Sequence, residues 1–394
     1  MPHVVTLNAG SSSIKFALFK LNGHEPEALA LGLAEHLGAA RHIRVKDGAG
    51  ARSFEERWAA EGEDFHKDAL DHVLAWRKTA FPAAQVVAAG HRVVHGGLRH
   101  ETPTLIDDEV LAYLETLTPL APLHEPHNLA GIRAARAAWP HVQQVACFDT
   151  SFHRAHPWVN DTFALPRAYF DEGVRRYGFH GLSYEYVTGK LREIAPHHAQ
   201  GRVIVAHLGN GASMCAIRDG VSVASSMGFT ALDGLPMGTR CGQLDPGVVL
   251  YMLQTKGMTP EQITDVLYKQ SGLKGLSGLS ADMRALEAAA TPEARQAIEY
   301  FVFRIRREAG GLAAVLKGLD AFVFCGGIGE NAWHVRERVL EGMEWIGIEL
   351  DREANRANAQ IISTPRSRVK LFIIPTNEEA MIARHTLDVI SQIK

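Results

Sequence analysis

The sequence has no surplus of positive charge. Its 41 lysines and arginines are balanced by 44 aspartates and glutamates, which gives a formal net charge of −3. Nucleic-acid-binding proteins neutralise a phosphate backbone with clustered basic side chains, so we expect no nucleic-acid partner. Runs of about 18 apolar residues are also missing, and residues 1–7 lack the basic and apolar regions of a signal peptide. We therefore expect no membrane partner and a cytoplasmic location.

Cysteine is scarce and scattered. The four cysteines, Cys147, Cys215, Cys241 and Cys325, lie far apart in sequence, which argues against a disulfide framework and against paired metal ligands. The G-x-x-x-x-G-K-[ST] loop is absent, as are the H-R-D and D-F-G elements of protein kinases. A phosphotransferase with this sequence would need another architecture.

Apolar strand-like runs alternate with helical patterns along the 394 residues, which predicts an α/β protein of two or three domains. The predicted strands are residues 4–8, 14–19, 86–94, 142–148, 203–208, 214–217, 321–325 and 370–374. The predicted helices are residues 65–78, 107–117, 130–139, 185–194, 292–316 and 332–343.

One pattern occurs twice. Residues 7–13 and residues 208–214 both read as a strand end, a small polar turn and a second strand. A repeat near the start of each half indicates a duplicated domain. Two unrelated hairpins would also explain it, because Gly, Asn and Ser dominate tight turns everywhere.

Three turns could hold phosphate, because small residues let backbone N–H groups approach an anion. They are residues 8–13 followed by Lys15, residues 207–211, and residues 326–331, which join a strand to a helix. The third turn also fits the dinucleotide fingerprint G-x-G-x-x-A, with Asp351 about twenty residues later. Too little chain follows for the rest of a dehydrogenase domain, and a dehydrogenase leaves the other two turns unexplained.

Two arginines lie among glycines and apolar residues, Arg92 in residues 91–97 and Arg240 in residues 237–242. A guanidinium group binds carboxylate or phosphate through two hydrogen bonds, so each could hold an anionic substrate or pair internally with an aspartate. Asp149 follows a predicted strand, where α/β sheets place their ligands, and could order magnesium, act as a base or cap a turn.

Three further segments carry candidate side chains. Residues 177–183 enclose His180 between glycines and aromatics, and residues 124–128 hold two histidines separated by proline, which we interpret as a structural turn rather than a metal site. Glu378 lies before a final predicted helix and could complete a magnesium site, or simply favour the helix N-terminus.

These segments occur together and in order, and by them the chain resembles the acetate kinase family over almost its whole length. The strings that carry the resemblance are NAGSSSIK (8–15), HRVVHGG (91–97), FDTSFH (148–153), YGFHG (177–181), HLGNGAS (207–213), MGFT (227–230), MGTRCG (237–242), GIGEN (327–331) and TNEE (376–379).

The resemblance implies the two-lobed fold of actin, Hsp70 and the sugar kinases. Each lobe would carry a duplicated ribonuclease-H-like core, with nucleotide in the cleft between the lobes. Residues 1–151 with 380–394 would form the N-terminal lobe, and residues 152–379 the C-terminal lobe. The family also implies a homodimer.

The resemblance further implies the roles of individual residues. Mg²⁺, or Mn²⁺ in its place, would be held by Asn8 and Glu378. Arg92 would bind acetate, Asp149 would be the active-site acid, and His180 and Arg240 would stabilise the transferring phosphoryl group. The residues that would contact ATP are Lys15, His207, Leu208, Gly209, Asn210, Gly211, Asp282, Met283, Arg284, Gly327, Ile328, Gly329, Glu330 and Asn331.

Acetate is already ionised at neutral pH, so in-line transfer needs charge neutralisation rather than a general base. We therefore expect Asp149 to order magnesium and its waters. By resemblance the acyl pocket comprises Val94, Leu123, Phe179 and Ala231, the last at a position where the family usually has proline. We expect acetate first with appreciable propionate turnover. The alternatives are a propionate or other short-chain acyl kinase, and a nucleotide-switched binding protein of the actin or Hsp70 type.

Overall fold

The computed structural model describes residues 2–10, 13–22, 25–37, 40–59 and 64–392. The chain divides into two compact units, Met1–Ser151 with Asn377–Lys394, and Phe152–Thr376. The final segment of the first unit begins at Asn377, whereas the sequence placed that boundary at residue 380. The reason is the last helix, which starts at Glu378 and packs against strands of the first unit.

The strands are β1 (Pro2–Ala9), β2 (Ser13–Asn22), β3 (Glu25–Leu37), β4 (Ala40–Asp47), β5 (Arg52–Ala59), β6 (Gln85–Val93), β7 (Thr104–Leu105), β8 (Gln143–Phe148), β9 (Arg202–Leu208), β10 (Ala212–Arg218), β11 (Val221–Ser225), β12 (Ala321–Cys325) and β13 (Lys370–Ile373). The helices are α1 (Phe65–Ala80), α2 (Asp108–Thr116), α3 (Glu125–Ala138), α4 (Trp158–Asp161), α5 (Arg167–Asp171), α6 (Gly181–Ile194), α7 (Pro196–Ala199), α8 (Pro246–Gln254), α9 (Pro260–Lys269), α10 (Gly272–Ser277), α11 (Met283–Ala289), α12 (Pro292–Leu316), α13 (Gly326–Asn331), α14 (Trp333–Leu340), α15 (Arg352–Arg356) and α16 (Glu378–Ser391).

The first unit is built on one sheet with the strand order β5-β4-β3-β2-β1-β6-β8-β7. Strands β1, β6 and β8 run parallel to one another, and β2 to β5 continue the sheet as an antiparallel meander. Alternate residues of β1 and β2 face α1, where Phe16 packs on Trp76 with ring centroids 5.6 Å apart. Burial of this apolar face is the main stabilising contribution to the unit.

Helix α16 covers part of the same sheet at very close range. A Cβ at Gly90 would lie 2.1 Å from Thr386 Oγ1 and 2.7 Å from Ile382 Cγ2, so glycine is required at this crossing. Ala383 is fully buried against Ala17 and Phe19. The C-terminal helix is therefore part of the core of the first unit.

The second unit has a five-stranded sheet of order β11-β10-β9-β12-β13. Its first three strands are antiparallel neighbours, and β9, β12 and β13 are parallel. Strand β12 is entirely buried, as expected for a parallel strand covered on both faces. The 25-residue helix α12 begins at the cap Thr291, whose side chain accepts from the Ala294 N–H.

The two sheets share one topology. In each unit, three antiparallel strands are followed by two parallel ones on the other side of the first strand, β3-β2-β1-β6-β8 and β11-β10-β9-β12-β13. The repeated turns of the sequence join β1 to β2 and β9 to β10, which are equivalent places. This confirms the predicted duplication; Ser11 and Ser12 of the first turn lie outside the described residues.

Two sequence expectations differ from the structure. Residues 124–128, predicted as a structural turn, are the start of α3, with His124 at the cap position and Pro126 in the first turn. Proline suits this position because its missing N–H has no helical partner there. Strands β3, β4, β5, β7 and β11 were not predicted. Among the described residues, we find no helix with the length and apolar character needed to cross a bilayer.

Candidate active site

Four predicted side chains of the first unit meet where its parallel strands end. Asn8 lies near the end of β1, Arg92 near the end of β6, and Asp149 directly after β8. Glu378 is the first residue of α16. Because the carboxyl ends of parallel strands share one edge of a sheet, residues far apart in sequence become neighbours there.

Arg92 is the centre of this cluster. Its Nε and Nη2 donate to Asp149 Oδ1 and Oδ2 at 3.0 and 2.6 Å, and Nη1 donates to Asn8 Oδ1 at 3.2 Å. Glu378 Oε2 lies 3.7 Å from Arg92 Nε and 3.5 Å from Asn8 Nδ2. The internal arginine–aspartate pair that the sequence left open is therefore present. A guanidinium group has five N–H donors, so this pairing leaves donors available for a carboxylate.

The charges in this cluster influence one another strongly. Burial opposes the charged form of Arg92, but Asp149 and Glu378 outweigh it and raise the pKa of the guanidinium group. Burial and the negative charge of Glu378 raise the pKa of Glu379 above its ordinary value. Lys15 is exposed on β2, directly opposite Asn8 in the strand register, and its charge partly offsets the effect on Glu379.

A buried carboxyl group that sequence reasoning missed lies behind this site. Glu125, at the start of α3, is fully buried, and its burial raises the pKa to about 8. The His95 backbone lowers that pKa and the charge of Asp149 raises it. We therefore expect Glu125 to be mostly protonated at neutral pH, which avoids a second buried negative charge near Asp149.

Val94 and Leu123 are the two predicted acyl-pocket residues of the first unit. Val94 is buried, and its N–H donates to Asn128 Oδ1 at 3.0 Å, whereas Leu123 is half-buried. Asn128 also donates from Nδ2 to the Ala9 carbonyl at 2.8 Å. Asn128 thereby ties the end of β1 to the segment after β6.

In the second unit, His180 has a left-handed backbone with φ of 58° at the start of α6. Its ring stacks on His207, with centroids 4.3 Å apart. A Cβ added at Gly211 would lie 3.1 Å from His180 Nε2 and 2.9 Å from Arg240 Nη2. The imidazole and the guanidinium group therefore approach the same glycine of the β9–β10 turn.

One direction of the hydrogen bonds around His180 places its ring proton on Nε2. Burial raises the pKa of the Tyr184 phenol well above its ordinary value, so its O–H is retained and can donate to Ser213 Oγ. Ser213 Oγ lies 2.8 Å from His180 Nδ1 and can donate its own proton there. This arrangement leaves the N–H of His180 on Nε2, on the side of Gly211 and Arg240.

The remaining two residues of the predicted acyl pocket, Phe179 and Ala231, adjoin His180 and Arg240. Phe179 is buried and directly precedes His180. The carbonyl of Ala231, also buried, accepts a hydrogen bond from Arg240 Nη1 at 2.7 Å. The Ala231 carbonyl thus holds Arg240, and this contact does not neutralise the positive charge of the guanidinium group.

The second unit also contains a pocket of about 620 Å³ that brings together eight of the predicted nucleotide residues. These eight are Gly209, Asn210, Asp282, Met283, Arg284, Gly327, Ile328 and Asn331. The pocket is further lined by Ala281, Glu287, Ala332 and His334, which were not predicted. Glu287 and His334 are hydrogen-bonded to each other. Glu287 lies one helical turn after Met283 on α11, and this spacing is the sequence signal that could have found it.

Five other predicted nucleotide residues of this unit do not line the pocket, namely His207, Leu208, Gly211, Gly329 and Glu330. Glu330 Oε1 accepts from the backbone N–H groups of Gly326 and Thr376 at 2.9 and 3.2 Å, so it holds the glycine turn together. Gly326 has φ of 76°, and a Cβ there would lie 2.7 Å from the Leu208 carbonyl oxygen. The turn therefore requires glycine to pack against the end of β9.

A comparison with protein families matches the Acetokinase family to residues 3–384. The chain belongs to the acetokinase family. It is 70% identical to the acetate kinase of Methylocella silvestris over 99% of this chain and 98% of that protein. The fold matches the crystal structure of Porphyromonas gingivalis acetate kinase with a TM-score of 0.87 at 36% identity, covering 99% and 100% of the two chains. A propionate kinase from Francisella tularensis matches with a TM-score of 0.90 at 36% identity, covering 98% and 100%.

Membership of the acetokinase family overturns the dehydrogenase interpretation of residues 327–332. In the structure, Asp351, the acidic residue that follows this fingerprint, caps α15 by accepting from the Glu353 and Ala354 N–H groups. An acidic N-cap is a common structural role. No group of three or more His, Cys, Asp or Glu side chains in the described ranges is arranged to hold a metal by itself.

Gly211→Ala is expected to lower the kcat of this acetokinase by roughly 10- to 100-fold, since displacement of reacting groups by about 1 Å has such effects. The new methyl group would press on Arg240 Nη2 and His180 Nε2, while Gly211 itself has no positive φ. Steady-state kinetics test this. Gly310→Ala on α12 is the matched control because a Cβ there meets nothing within 4 Å. Equal activity of both variants would contradict the placement of the two donors.

Proposed function

We propose that this chain transfers the γ-phosphoryl group of ATP reversibly to acetate, giving acetyl phosphate and ADP. The observation that carries the proposal is its 70% identity, over nearly the whole length, to a protein named acetate kinase. The clustered anion-binding side chains are the chemistry that such a reaction needs, because a carboxylate must approach a polyanion.

Arg92 is the proposed acetate ligand. Its side chain is 17% exposed while its partner Asp149 is 1% exposed, so the guanidinium group presents one edge outward and is held by the carboxylate behind it. Asp149 and Asn8 fix the orientation of the Arg92 guanidinium group before the substrate binds. This preorganisation favours a second carboxylate at the remaining N–H groups.

Asn8 and Glu378 are the proposed ligands of Mg²⁺, with Asp149 ordering its water shell. Their oxygens form a hard donor set of two carboxylates and one amide, which suits a cation that takes few protein ligands and completes its shell with water and phosphate. When bound, the ion supplies neutralisation of phosphate charge. The raised pKa of Glu379, caused by burial and by Glu378, is consistent with excess negative charge at this place.

ATP is the proposed occupant of the pocket formed by Gly209, Asn210, residues 282–284 and the turn of α13. Backbone N–H groups at the start of a helix after a glycine-rich turn favour phosphate. Lys15 is proposed to contact the phosphates as well, and His207 and Gly211 to border them.

His180 and Arg240 are proposed to stabilise the phosphoryl group during transfer. His180 Nε2 and the guanidinium Nη2 of Arg240 both flank Gly211. Donors held in place before the reaction lower its barrier without reorganisation at the transition state. Because acetate is ionised at neutral pH, Asp149 need not remove a proton. We expect a direct in-line displacement, driven by positioning and electrostatics.

Acyl selectivity is proposed to depend on Val94, Leu123, Phe179 and Ala231. One methylene in an apolar pocket changes binding by only about 1–3 kcal/mol, so we expect acetate to be preferred and propionate to be turned over appreciably. The similarity to a solved propionate kinase makes propionate the second candidate. Equal or better kcat/KM on propionate would reverse the order.

The deciding experiment is acyl phosphate formation from MgATP with acetate or propionate, trapped by hydroxylamine as the hydroxamate. We expect strong product with acetate, with a dependence on Mg²⁺ that Mn²⁺ partly satisfies. ATP binding without product from either acid would contradict the kinase and favour a nucleotide-switched binding protein.

We also propose a homodimer that works in the cytoplasm, where its four free cysteines would stay reduced. Helix α8 has no buried residue although its sequence is strongly apolar, and Leu250 is 51% exposed on it. An unpartnered apolar helix face of this kind is typical of a subunit interface, and a second copy of the chain is the proposed occupant.

Leu250→Asp is therefore expected to shift the protein from dimer to monomer at micromolar concentration, because a charge would be desolvated at the interface. Light scattering coupled to gel filtration measures the mass. Ile361→Asp is the control, since Ile361 is equally exposed at 51%. Monomeric wild-type protein, or equal dissociation of both variants, would refute this assignment of the interface.

A further inference from the structure

A buried polar chain outside the proposed reacting groups leads to the backbone of His180. His153 Nε2 lies 3.0 Å from the Phe179 carbonyl oxygen, and His153 Nδ1 lies 2.9 Å from Ser222 Oγ. His156 Nε2 lies 2.8 Å from the same hydroxyl. His153 is fully buried. Nothing in the proposed transfer chemistry uses these groups directly.

The Phe179 carbonyl lies at one end of this series of hydrogen bonds and sets their direction. A carbonyl oxygen only accepts, so His153 Nε2 must carry the N–H. Burial lowers the pKa of His153 to about 4 and that of His156 to about 3, so both rings are neutral at pH 7 and hold one N–H each. His153 Nδ1 is then an acceptor, which obliges the Ser222 O–H to donate to it.

The remaining contacts of Ser222 agree with this direction. Since its proton goes to His153, its oxygen can accept from the N–H of His156 Nε2. Cys215 Sγ lies 3.2 Å from the same oxygen, and burial raises the pKa of that thiol to about 12, so it stays protonated and can also donate. The chain runs without conflict from His156 through Ser222 and His153 to the Phe179 carbonyl.

That carbonyl belongs to the residue just before His180, in a segment whose backbone conformation is unfavourable for ordinary residues. His180 has φ of 58° although it is not glycine. Gly178 has φ of 74°, and a Cβ there would lie 2.5 Å from the His153 ring. The His153 ring therefore packs against Gly178 and hydrogen-bonds to the Phe179 carbonyl. A left-handed backbone at a residue other than glycine persists only when neighbouring contacts stabilise it.

We propose that His153 is a positioning residue, which holds the left-handed turn that directs the His180 imidazole, and that Ser222 keeps His153 in the required tautomer. The inference rests on the proposed function because it assigns His180 to the transferring phosphoryl group. Its structural part, the directed chain of protons, can be measured without any activity.

The kinetic test compares His153→Phe, His153→Gln and Ser222→Ala. His153→Phe keeps an aromatic ring but loses the donor, and we expect kcat to fall about 10- to 100-fold, as for small displacements of reacting groups, with KM for MgATP changed less than about twofold. His153→Gln retains an N–H donor and should restore part of kcat. Ser222→Ala should give a smaller loss of kcat and keeps the test valid if His153→Phe does not fold.

Ser367→Ala is the control for a purely structural loss. Ser367 is a buried hydroxyl of the same unit that bonds to the Val369 carbonyl at 2.6 Å. We expect this variant to lose thermal stability while its folded fraction keeps the wild-type kcat. If His153→Phe and Ser222→Ala behave in the same way as Ser367→Ala, the positioning role is refuted.

Long-range ¹H–¹⁵N spectra of the ring nitrogens give a readout that does not depend on catalysis. In wild-type protein we expect His153 to be protonated on Nε2 and bare on Nδ1 at pH 7, and Ser222→Ala to disturb that pattern. The opposite tautomer would overturn the inference. Absence of acyl phosphate formation by wild-type protein with the expected tautomer would instead count against the proposed function alone.

Discussion

Arg92→Ala is expected to reduce kcat/KM for acetate by about 100-fold or more and to lower the free energy of unfolding by about 3 kcal/mol. Both effects have one origin, since the substitution removes the proposed acetate ligand and leaves Asp149 as a buried carboxylate without its two 2.6–3.0 Å hydrogen bonds. Hydroxamate kinetics and urea unfolding measure the two losses. Arg92→Lys keeps the positive charge but loses the planar guanidinium group, so we expect its activity and stability to lie between those of wild type and Arg92→Ala.

Arg202→Ala is the matched control for that prediction. Arg202 binds Asp320 through the same two-bond geometry, at 2.9 and 2.6 Å, but the two side chains are 39% and 35% exposed. Exposed pairs contribute about 1 kcal/mol or less, so we expect little loss of stability and unchanged activity. If the two variants lose activity equally, Arg92 does not bind the substrate.

Arg240→Ala is expected to lower kcat by about 100- to 1000-fold while KM for MgATP changes little. The guanidinium group lies beside the Gly211 turn with His180 Nε2, and it is not among the residues that line the proposed nucleotide pocket. Loss of this guanidinium group should therefore slow phosphoryl transfer rather than weaken nucleotide binding. Steady-state kinetics with both substrates varied, together with calorimetric ATP binding, separate the two.

Arg218→Ala serves as the control for Arg240, because its guanidinium group is likewise held by a backbone carbonyl, that of Leu316 at 2.7 Å. We expect near wild-type kcat for this variant. A large rise in KM for MgATP in Arg240→Ala, with kcat retained, would move Arg240 from the transferring group to the nucleotide-binding residues.

Buried parallel strands were predicted from the sequence better than the exposed edge strand. Parallel strands such as β9 and β12 are continuous apolar runs, which periodicity detects. Strand β3 was missed because its alanines, leucines and glutamates favour helices, and only pairing with β2 and β4 makes it a strand. Strand β5 lies at the sheet edge and is largely exposed, so it carries little apolar signal.

The candidate site was predictable as a set of motifs but not as a set of contacts. Glycine-rich turns in the sequence indicated the pocket of the second unit, because few residues other than glycine allow such close backbone packing. Arg92 and Asp149 were both named, yet their pairing across 57 residues depends on strand register, which sequence does not reveal. His334 was missed because nothing in an ordinary helical segment marks a residue as facing a pocket.

The position of α16 has a consequence for synthesis on the ribosome. The last helix supplies part of the core of the first unit, with Ile382 and Ala383 fully buried against its sheet. Residues 2–151 therefore leave the ribosome with the part of their sheet that packs on α16 uncovered, and this part stays uncovered until α16 has been synthesised. At about 5–20 residues per second this interval lasts on the order of tens of seconds. The second unit, which is continuous in sequence, can finish folding first, so the half made earliest is the half completed last.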